Sequence, residues 1–333
     1  MNQSRFVVGV DLGGTKISVG AMRTDGKGEV DTHTELTHAE QGADAVVSHI
    51  AAMIDAVIAR TMAETGATRD AFLGVGIGAP GPLDRAKGIV ITTPNLGWQQ
   101  FPLRDRVAAA CGLPATLDND ANCATLGEWW VGAAKGGRNV VGLTIGTGIG
   151  GGLVLNGELY HGSSDVAGEV GHTTIDPTGR KCKCGNYGCL EAYASGPAIA
   201  ERAREALVGG EGSLLSQMAG GDLSTITAQL VYEASKQGDE VARAVVRETA
   251  RLIGTGVANL LNIFNPDVVV LAGGVTQAGD DLLVPMRAEV QRRAFKAAVD
   301  ACRIVTGSLG SSAGVIGAVA TFQAQHGDGA GRA

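Results

Sequence analysis

The chain contains the same unusual pattern twice: a short apolar strand, a glycine-rich turn and a second strand. The first copy runs from Phe6 to Met22, with the turn Asp11-Leu-Gly-Gly-Thr-Lys16. The second begins at Asn139 and turns at Gly146-Thr-Gly-Ile-Gly-Gly-Gly152 before the strand Leu153-Val-Leu. Such turns present backbone N–H groups to phosphate. A single copy is also explained as an ordinary hairpin, but the repetition favours two phosphate-facing hairpins, one per domain, that clamp a nucleotide with Mg²⁺.

Length and composition support two α/β domains. A chain of 333 residues is long for one domain and sufficient for two. Hydrophobic residues make up 44% of the chain and aromatic residues 4%, which is typical of aliphatic sheets covered by helices. We predict a small α/β domain at 1–120, joined by a C-terminal helix at about 311–326. A large α/β domain at 121–310 would carry a metal-binding loop and the nucleotide site.

The periodicity of apolar residues predicts the main helices and strands. Apolar residues at helical spacing predict helices over 45–62, 121–134 and 239–264, and continuous apolar runs predict strands over 72–77 and 267–272. Ligands of open α/β sheets bind beyond the carboxyl ends of the strands. The turns that follow these strands are therefore where we expect functional residues.

Several polar side chains follow or adjoin predicted strands. Asp11 can hold Mg²⁺ directly or through water, and Lys16 adds positive charge. Asp120 lies near a helix start, where it is either an N-cap or a general base kept ionised by the helix field; one residue can be both. Asn119 would hold the same hydroxyl group. Asn95 suits a sugar hydroxyl, although an asparagine in a loop is more often a turn residue.

Two further glycine turns are candidates for ligand contact. Gly81 belongs to the stiff turn Gly78-Ala-Pro-Gly-Pro82 at the end of a predicted strand. Gly273 and Gly274 follow the apolar strand 267–272, where an adenine ring or its ribose can lie on the backbone. A simple strand-to-helix turn explains the double glycine equally well.

The segment 169–191 concentrates metal-binding side chains. One nitrogen and three sulfurs suit a closed, four-coordinate structural Zn²⁺ site, whereas a loop with buried thiols is the alternative. The predicted ligands are His172, Cys182, Cys184 and Cys189. Ordering this loop would also place Glu169 and Glu191, which either form a wall that recognises sugar hydroxyls or are ordinary surface acids.

Charge and the N-terminal residues exclude several classes of protein. The formal net charge of -7, without a cluster of basic residues, argues against a nucleic-acid partner. The first ten residues lack the apolar region of a signal peptide, and we expect no membrane-spanning segment. An intracellular, cytoplasmic location follows, where a cysteine cluster indicates metal rather than disulfides.

Taken together, six motifs in order along nearly the whole chain resemble the ROK family of sugar kinases and repressors. The resemblance implies the two-domain actin-like ATPase (ribonuclease H-like) fold of class α/β, with the active site in the interdomain cleft. The motifs are Asp11-Leu-Gly-Gly-Thr-Lys16, Asn119-Asp120-Ala-Asn122, Thr144-Ile-Gly-Thr-Gly-Ile-Gly150, Glu169-Val-Gly-His172, Cys182-x-Cys184-Gly-x-x-Gly-Cys189-x-Glu191 and Ala272-Gly-Gly274.

The resemblance also implies a role for each candidate residue. Asp120 would take the proton from the 6-hydroxyl of a sugar as that hydroxyl attacks the γ-phosphoryl group of ATP. His172 would bind zinc through one nitrogen and sugar through the other. The residues that bind sugar would be Gly81, Asn95, Asn119, Asp120, Glu169, His172 and Glu191. Those that bind ATP with Mg²⁺ would be Asp11, Gly13, Gly14, Thr15, Lys16, Thr147, Gly148, Gly273 and Gly274.

Within the family, the chain resembles the glucokinase branch through Asn95-Leu-Gly-Trp98, Pro102-Leu103 and Glu169-Val-Gly-His172. This resemblance implies ATP-dependent phosphorylation of glucose at the 6-hydroxyl, and a homodimer or a dimer of dimers. The alternatives are a family kinase for N-acetylglucosamine, N-acetylmannosamine, mannose or fructose, and a sugar-binding regulator without catalysis. Repressors of the family carry a helix-turn-helix before the first strand, and a first strand at Phe6 leaves no room for one.

Overall fold

The computed structural model describes residues 4–28, 30–93, 95–208 and 212–326. The strands in these ranges are β1 (Phe6–Leu12), β2 (Lys16–Arg23), β3 (His33–Leu36), β4 (Phe72–Ala79), β5 (Leu83–Asp84), β6 (Ile89–Thr93), β7 (Trp98–Phe101), β8 (Ala115–Asn119), β9 (Val140–Ile145), β10 (Ile149–Leu155), β11 (Glu158–Leu159), β12 (Val268–Ala272) and β13 (Arg303–Thr306). The helices are α1 (Ala43–Thr65), α2 (Leu103–Cys111), α3 (Asp120–Trp130), α4 (Glu191–Ala194), α5 (Gly196–Leu207), α6 (Leu214–Met218), α7 (Ala228–Lys236), α8 (Glu240–Phe264), α9 (Asp280–Arg293), α10 (Lys296–Ala301) and α11 (Ala313–His326).

The chain divides into two compact units. The first consists of the residues up to Arg138, Gly152–Gly168 and the residues from Gly307 onward; the second consists of Asn139–Gly151 and Glu169–Thr306. The chain passes from the second unit to the first within β10. This division assigns 121–138 and 152–168 to the unit that contains the N-terminus, whereas the sequence analysis assigned them to the large domain. The two divisions differ in these segments, and the domain boundary at residue 120 stays a prediction.

The sheet of the first unit brings the carboxyl ends of three parallel strands to one edge. Its order is β3-β2-β1-β4-β8, with β1 antiparallel to β2 and parallel to β4, and β4 parallel to β8. The register pairs Asp11 with Gly78, and Gly78 with Asp118. The polar residues that follow these strands therefore lie side by side, as expected for ligand sites of open α/β sheets.

Glycines let α11 lie directly on the first sheet. A Cβ atom at Gly9 would lie 2.1 Å from the carbonyl oxygen of Val315, and one at Gly76 would lie 1.7 Å from that of Ala318. A Cβ at Gly317 of the helix would likewise lie 1.5 Å from the carbonyl oxygen of Cys123 in α3. No other residue fits at these three positions without a backbone shift, which accounts for part of the high glycine content.

Helix α1 covers the same sheet with buried aliphatic residues such as Val46, Ile50, Ile54 and Ile58. By length and composition alone it also qualifies as a membrane span, which the sequence analysis did not anticipate. One such helix is weak evidence for a membrane, because helices in the core of water-soluble domains meet the same criterion.

The second unit contains three neighbouring parallel strands, β9, β12 and β13. Strand β12 lies between β9 and β13 and is parallel to both, with Val269 paired to Val141 on one side and to Ile304 on the other. The long helix α8 packs against α9, α7 and α5. This arrangement places the turn after β9 and the turn after β12 at one edge of the sheet.

Candidate functional site

Asp11 and Asp120 come together at the edge of the first sheet. Asp11 is the second-last residue of β1, and Asp120 is the first residue of α3, directly after β8. Burial, together with the charge of Asp120, raises the pKa of Asp11 to about 7. A Cβ atom on Gly314 of α11 would lie 2.3 Å from Oδ2 of Asp11, so the carboxylate lies against the helix start. Two partly buried acids that repel each other favour a proton or a cation between them.

Asn119, and not Asp120, caps α3. The side-chain oxygen of Asn119 accepts hydrogen bonds from the backbone N–H groups of Ala121 at 2.9 Å and Asn122 at 3.1 Å. Asp120 is the first residue of the helix, and its Oδ1 also accepts a hydrogen bond from the N–H of Ala121, at 2.8 Å. The N-cap explanation that the sequence analysis left open for Asp120 is therefore wrong.

Burial is the largest influence on the pKa of Asp120 and raises it above the ordinary value of 3.8. Hydrogen bonds from the backbone of Ala121 and from the side chain of Asn119 act in the opposite direction and only partly offset it. The sequence analysis named the helix field, which lowers this pKa, and missed the larger effect of burial. The result is a carboxylate that is a stronger base than a solvated one.

Four more of the predicted site residues lie close to one another, in two pairs, within the first unit. A Cβ atom at Gly14 would lie 2.8 Å from the Cβ of Asn95, so the first turn closes directly onto that loop. A Cβ at Gly81 would lie 3.5 Å from Nδ2 of Asn119. The structure thus collects Gly81, Asn95 and Asn119 near the edge that carries Asp11 and Asp120.

The first glycine turn is closed by its own backbone and by one threonine. The N–H of Gly13 donates to the carbonyl of Lys16 at 2.9 Å. Thr37 donates its hydroxyl to the carbonyl of Gly13 at 2.8 Å and its N–H to the carbonyl of Thr15 at 2.9 Å. Thr15 and Lys16 are exposed, and their side chains are accessible to a phosphate.

The second glycine turn is fixed by residues distant in sequence. The N–H of Gly146 donates to the carbonyl of Gly148 at 2.9 Å, and its carbonyl accepts from the N–H of Gly196 at 2.8 Å. The N–H of Ile149 donates to Oε2 of Glu191 at 2.8 Å. Thr147, at the tip between these contacts, is exposed.

The four predicted metal ligands converge in the second unit. One ligand atom from each of them lies within 4.8 Å of all the others. The sulfurs of Cys184 and Cys189 are 3.7 Å apart, as are Sγ of Cys182 and Nδ1 of His172. A tetrahedral zinc ion with Zn–S bonds of about 2.3 Å requires sulfur atoms roughly 3.8 Å apart. The donor set and its spacing therefore fit Zn²⁺.

The cluster determines which nitrogen of His172 faces away from it. Nδ1 points at the thiols, and Nε2 lies 4.0 Å from Oε2 of Glu169. Glu191 lies between the cluster and the second turn: one carboxylate oxygen accepts from Ile149, and the other is 3.9 Å from Sγ of Cys182. Glu191 therefore has a structural partner that the sequence analysis did not identify.

A cavity of about 510 Å³ in the second unit is lined by Thr147 and Gly274, two of the predicted nucleotide-binding residues. Neighbouring Gly273 has a φ of 93° and a Cβ there would lie 2.3 Å from the carbonyl of Ile145, so this position requires glycine. Sequence reasoning missed several polar residues of the lining, since they belong to α5, α7 and other segments without a recognisable motif. They are Arg204, Thr227, Gln229, Tyr232 and Gln277.

Sequence reasoning also missed a buried charged group beside the predicted base. The carboxylate of Asp118 has no exposed surface, and it contacts Arg85 and His161. The residue directly precedes the motif Asn119-Asp120-Ala-Asn122 and was given no role. An acidic residue in an otherwise buried strand was the available signal, since such a charge requires a partner.

Comparison with known proteins places these observations in a family. The model of the ROK family matches residues 7–325. A glucokinase of Halalkalibacterium halodurans is 38% identical over 314 residues, which are 94% of this chain and 93% of that protein. A xylose repressor of Caldicellulosiruptor bescii is 33% identical over 94% of this chain and 77% of its own length.

A solved structure shows the same fold. The ROK family glucokinase from Streptomyces griseus, crystallised with glucose and AMPPNP, is 34% identical and superposes with a TM-score of 0.79 over 95% of this chain and 98% of its own. The predicted actin-like ATPase fold is therefore confirmed. With a family model that matches almost the whole chain and relatives above 30% identity, this chain is a member of the ROK family.

Proposed function

We propose that this protein is a glucokinase, which transfers the γ-phosphoryl group of ATP to the 6-hydroxyl of glucose. The observation that carries the proposal is Asp120, a partly buried carboxylate at the start of α3 that is not used as the helix cap. The similarity to the glucokinases of Halalkalibacterium halodurans and Streptomyces griseus extends over almost the full chain and supports this reaction.

Asp120 acts in this proposal as the general base. Phosphoryl transfer requires positioning and charge neutralisation more than covalent chemistry, so the protein has to hold one hydroxyl in line and accept its proton. The raised pKa of Asp120 makes it a better proton acceptor than a solvated carboxylate. Asn119, fixed as the cap of α3, presents its side-chain nitrogen toward the neighbourhood of Gly81.

The remaining predicted residues divide between sugar and nucleotide. We assign the hydroxyls of glucose to Gly81, Asn95 and Asn119 of the first unit and to Glu169, His172 and Glu191 of the second. We assign ATP to Asp11, Gly13, Gly14, Thr15, Lys16, Thr147, Gly148, Gly273 and Gly274. The cavity beside Thr147 and Gly274 has room for a nucleoside. Asp11 would hold Mg²⁺, which neutralises phosphate charge when bound.

His172, Cys182, Cys184 and Cys189 would hold a structural Zn²⁺ ion. The ion supplies no chemistry to the transfer; it would order the segment that carries Glu169 and Glu191. Because the cluster occupies Nδ1 of His172, Nε2 remains for a sugar hydroxyl. Reduced thiols fit our further proposal of a cytoplasmic enzyme. We also propose a homodimer or a dimer of dimers.

A panel of hexoses tests the proposal. Purified protein with ATP and Mg²⁺ is supplied with glucose, mannose, fructose, N-acetylglucosamine or N-acetylmannosamine, and ADP release is followed by a coupled assay. We expect kcat/KM for glucose to exceed that for the others by at least about tenfold. Preference for another hexose would replace the substrate but keep the reaction. Sugar binding without ADP release would favour a regulator, the role named for the relative from Caldicellulosiruptor bescii.

A further inference from the structure

A buried ionic network lies directly beside the predicted base in the first unit. The carboxylate of Asp118 has 0% side-chain exposure. Its Oδ2 atom is 2.9 Å from Nε of Arg85 and 2.8 Å from Nε2 of His161, whose side chains are 20% and 17% exposed. A buried charge of this kind is tolerated only when it is paired, so the three side chains depend on one another.

The other oxygen of Asp118 holds the backbone around Asp120. Oδ1 accepts from the N–H of Asn119 at 2.8 Å and from Nδ2 of Asn122 at 3.1 Å. These residues flank Asp120 on both sides in the sequence. Asp118 therefore fixes the residue before Asp120 and a side chain two positions after it, and so braces the start of α3.

The network also reaches a second predicted sugar residue. Arg85 donates its backbone N–H to Oδ2 of Asp165 at 3.1 Å, and its Nη1 lies 3.4 Å from Oδ1 of the same side chain. Arg85 follows β5, the short strand that begins two residues after Gly81. A Cβ atom built on Gly81 would in turn lie 3.5 Å from Nδ2 of Asn119. Three separate segments of the first unit thus meet around Asp118.

The charges in the network are balanced in favour of an ionised Asp118. Burial alone would raise the pKa of Asp118. The hydrogen bond and charge of His161, the charge of Arg85 and the hydrogen bond of Asn122 outweigh burial, so the pKa lies below its usual value. Asp118 thus behaves as a fixed anion that accepts hydrogen bonds from His161 and Asn122 and attracts the charge of Arg85, whereas a protonated carboxyl would lose part of these interactions.

We propose that Arg85, Asp118 and His161 are positioning residues that hold Asp120 and Asn119 in the geometry needed for phosphoryl transfer. This inference rests on the proposed function, because it assigns Asp120 as the base. None of the three contacts a residue that we assign to ATP among the described hydrogen bonds and ion pairs. Their loss should therefore act on turnover and on the sugar, and not on the nucleotide.

Three substitutions, at Asp118 and His161, test the network. Because a displacement of about 1 Å can cost on the order of 100-fold in rate, we expect Asp118→Asn and His161→Leu to lower kcat about 10–100-fold. KM for glucose should rise, and KM for ATP should stay within about twofold. His161→Gln keeps a side-chain N–H donor for Asp118 and should recover at least half of the loss on a logarithmic scale.

Glu128→Gln is the matched control for stability. Glu128 is also a buried carboxylate of α3, but it accepts from the N–H groups of Ala133, Ser308 and Leu309, away from Asp120. We expect it to lower the melting temperature about as much as Asp118→Asn while kcat stays at the wild-type value. Equal kcat in Asp118→Asn, His161→Leu and wild type would overturn the inference. So would an equal loss in Glu128→Gln, or equal kcat in His161→Leu and His161→Gln.

Kinetics of the wild-type protein distinguish a failure of this inference from a failure of the proposed function. Kinetics are recorded on the hexose that the wild type phosphorylates best. If that hexose is not glucose, the substrate assignment fails and the network is still tested on the true substrate. If no hexose is phosphorylated, the proposed function and the inference fall together.

Discussion

The two glycine turns share one sequence pattern, but the structure anchors them by different means. The first turn, 11–16, contains its own charges, and a neighbouring threonine holds its backbone. The second turn, 146–148, has no charged residue; it is held by Glu191, whose carboxylate binds the N–H of Ile149 across 42 positions of sequence. A repeated pattern therefore predicts the backbone of a turn, while the source of its rigidity and charge has to be found elsewhere.

This difference separates two kinds of mutational effect. Changes at the first turn should act through charge, because Asp11 and Asp120 form one electrostatic unit. Changes at the second turn should act through the rigidity of its backbone, because Glu191 connects this turn to the metal-binding cluster.

Asp120→Asn should have the largest effect. It removes the proposed base and keeps the shape of the side chain, so kcat should fall about 10²–10⁴-fold. The dissociation constant for glucose, measured by calorimetry, should change by less than about fivefold. Asp25→Asn, a surface carboxylate paired with Arg23, is the control and should leave both values unchanged. Wild-type turnover in Asp120→Asn would remove this residue as the base.

Asp11→Asn should lower kcat about 10–100-fold, because the charge that would hold Mg²⁺ near the phosphates is lost. The same substitution should stabilise the free protein at high pH. The pKa of Asp11 is raised from 3.8 to about 7 on folding, so folding takes up a proton between these values. The free energy of unfolding of the wild type therefore falls as pH rises from about 4 to 7.

Urea titrations at several pH values measure how the unfolding free energy changes with pH, and so test the raised pKa of Asp11. Relative to the wild type, Asp11→Asn should gain about 4 kcal/mol in unfolding free energy between pH 4 and pH 8. Asp25→Asn provides the reference for a surface carboxylate. If the unfolding free energies of the wild type and of Asp11→Asn change by the same amount between pH 4 and pH 8, the raised pKa of Asp11 is contradicted.

Removal of the metal should loosen the second turn and spare the first. Glu191 starts α4 two residues after Cys189, so loss of the cluster frees the carboxylate that holds Ile149. After chelation, or in Cys184→Ser, KM for ATP and the dissociation constant for glucose should each rise about tenfold. Hydrogen exchange should accelerate in 146–155 and 169–191 and remain unchanged in 6–22.

Cys302→Ser is the matched control for this experiment, since Cys302 is partly buried and lies outside the cluster. Metal content is measured in all variants. Equal exchange in both turns after metal removal would show that Glu191 does not depend on the cluster, and that the two turns are more alike than the contacts indicate.

Local patterns in the sequence were sufficient for much of the fold. The spacing of apolar residues predicted a helix at 45–62, and the structure has α1 over Ala43–Thr65. Both hairpins were predicted from their glycines. The segment 149–152 was predicted as turn, yet it begins β10, because glycine there serves close packing: a Cβ at Gly152 would lie 2.6 Å from Oγ1 of Thr125.

Other elements lacked a usable local pattern. Helix α9 carries six charged residues and has Pro285 in its interior, and its apolar residues alone do not indicate a helix. The contact between Asp118 and His161 joins residues 43 positions apart, and nothing near either of them in sequence indicates the other. Catalytic candidates could be found from motifs, whereas the residues that position them became visible only in three dimensions.

The smallest effect should come from one methyl group at the second turn. In Gly148→Ala the new Cβ would lie 2.6 Å from Oε2 of Glu191, so the carboxylate must shift and weaken its bond to Ile149. Gly146→Ala is the control two residues away, because a Cβ there meets no atom of the described residues within 4 Å. We expect Gly148→Ala to lower the melting temperature by about 2–5 °C, as for a loss of roughly 1 kcal/mol, and Gly146→Ala to leave it unchanged. Equal melting temperatures of the two variants would mean that Glu191 does not stabilise this turn, and the contrast between the two hairpins would then reduce to the charges of the first.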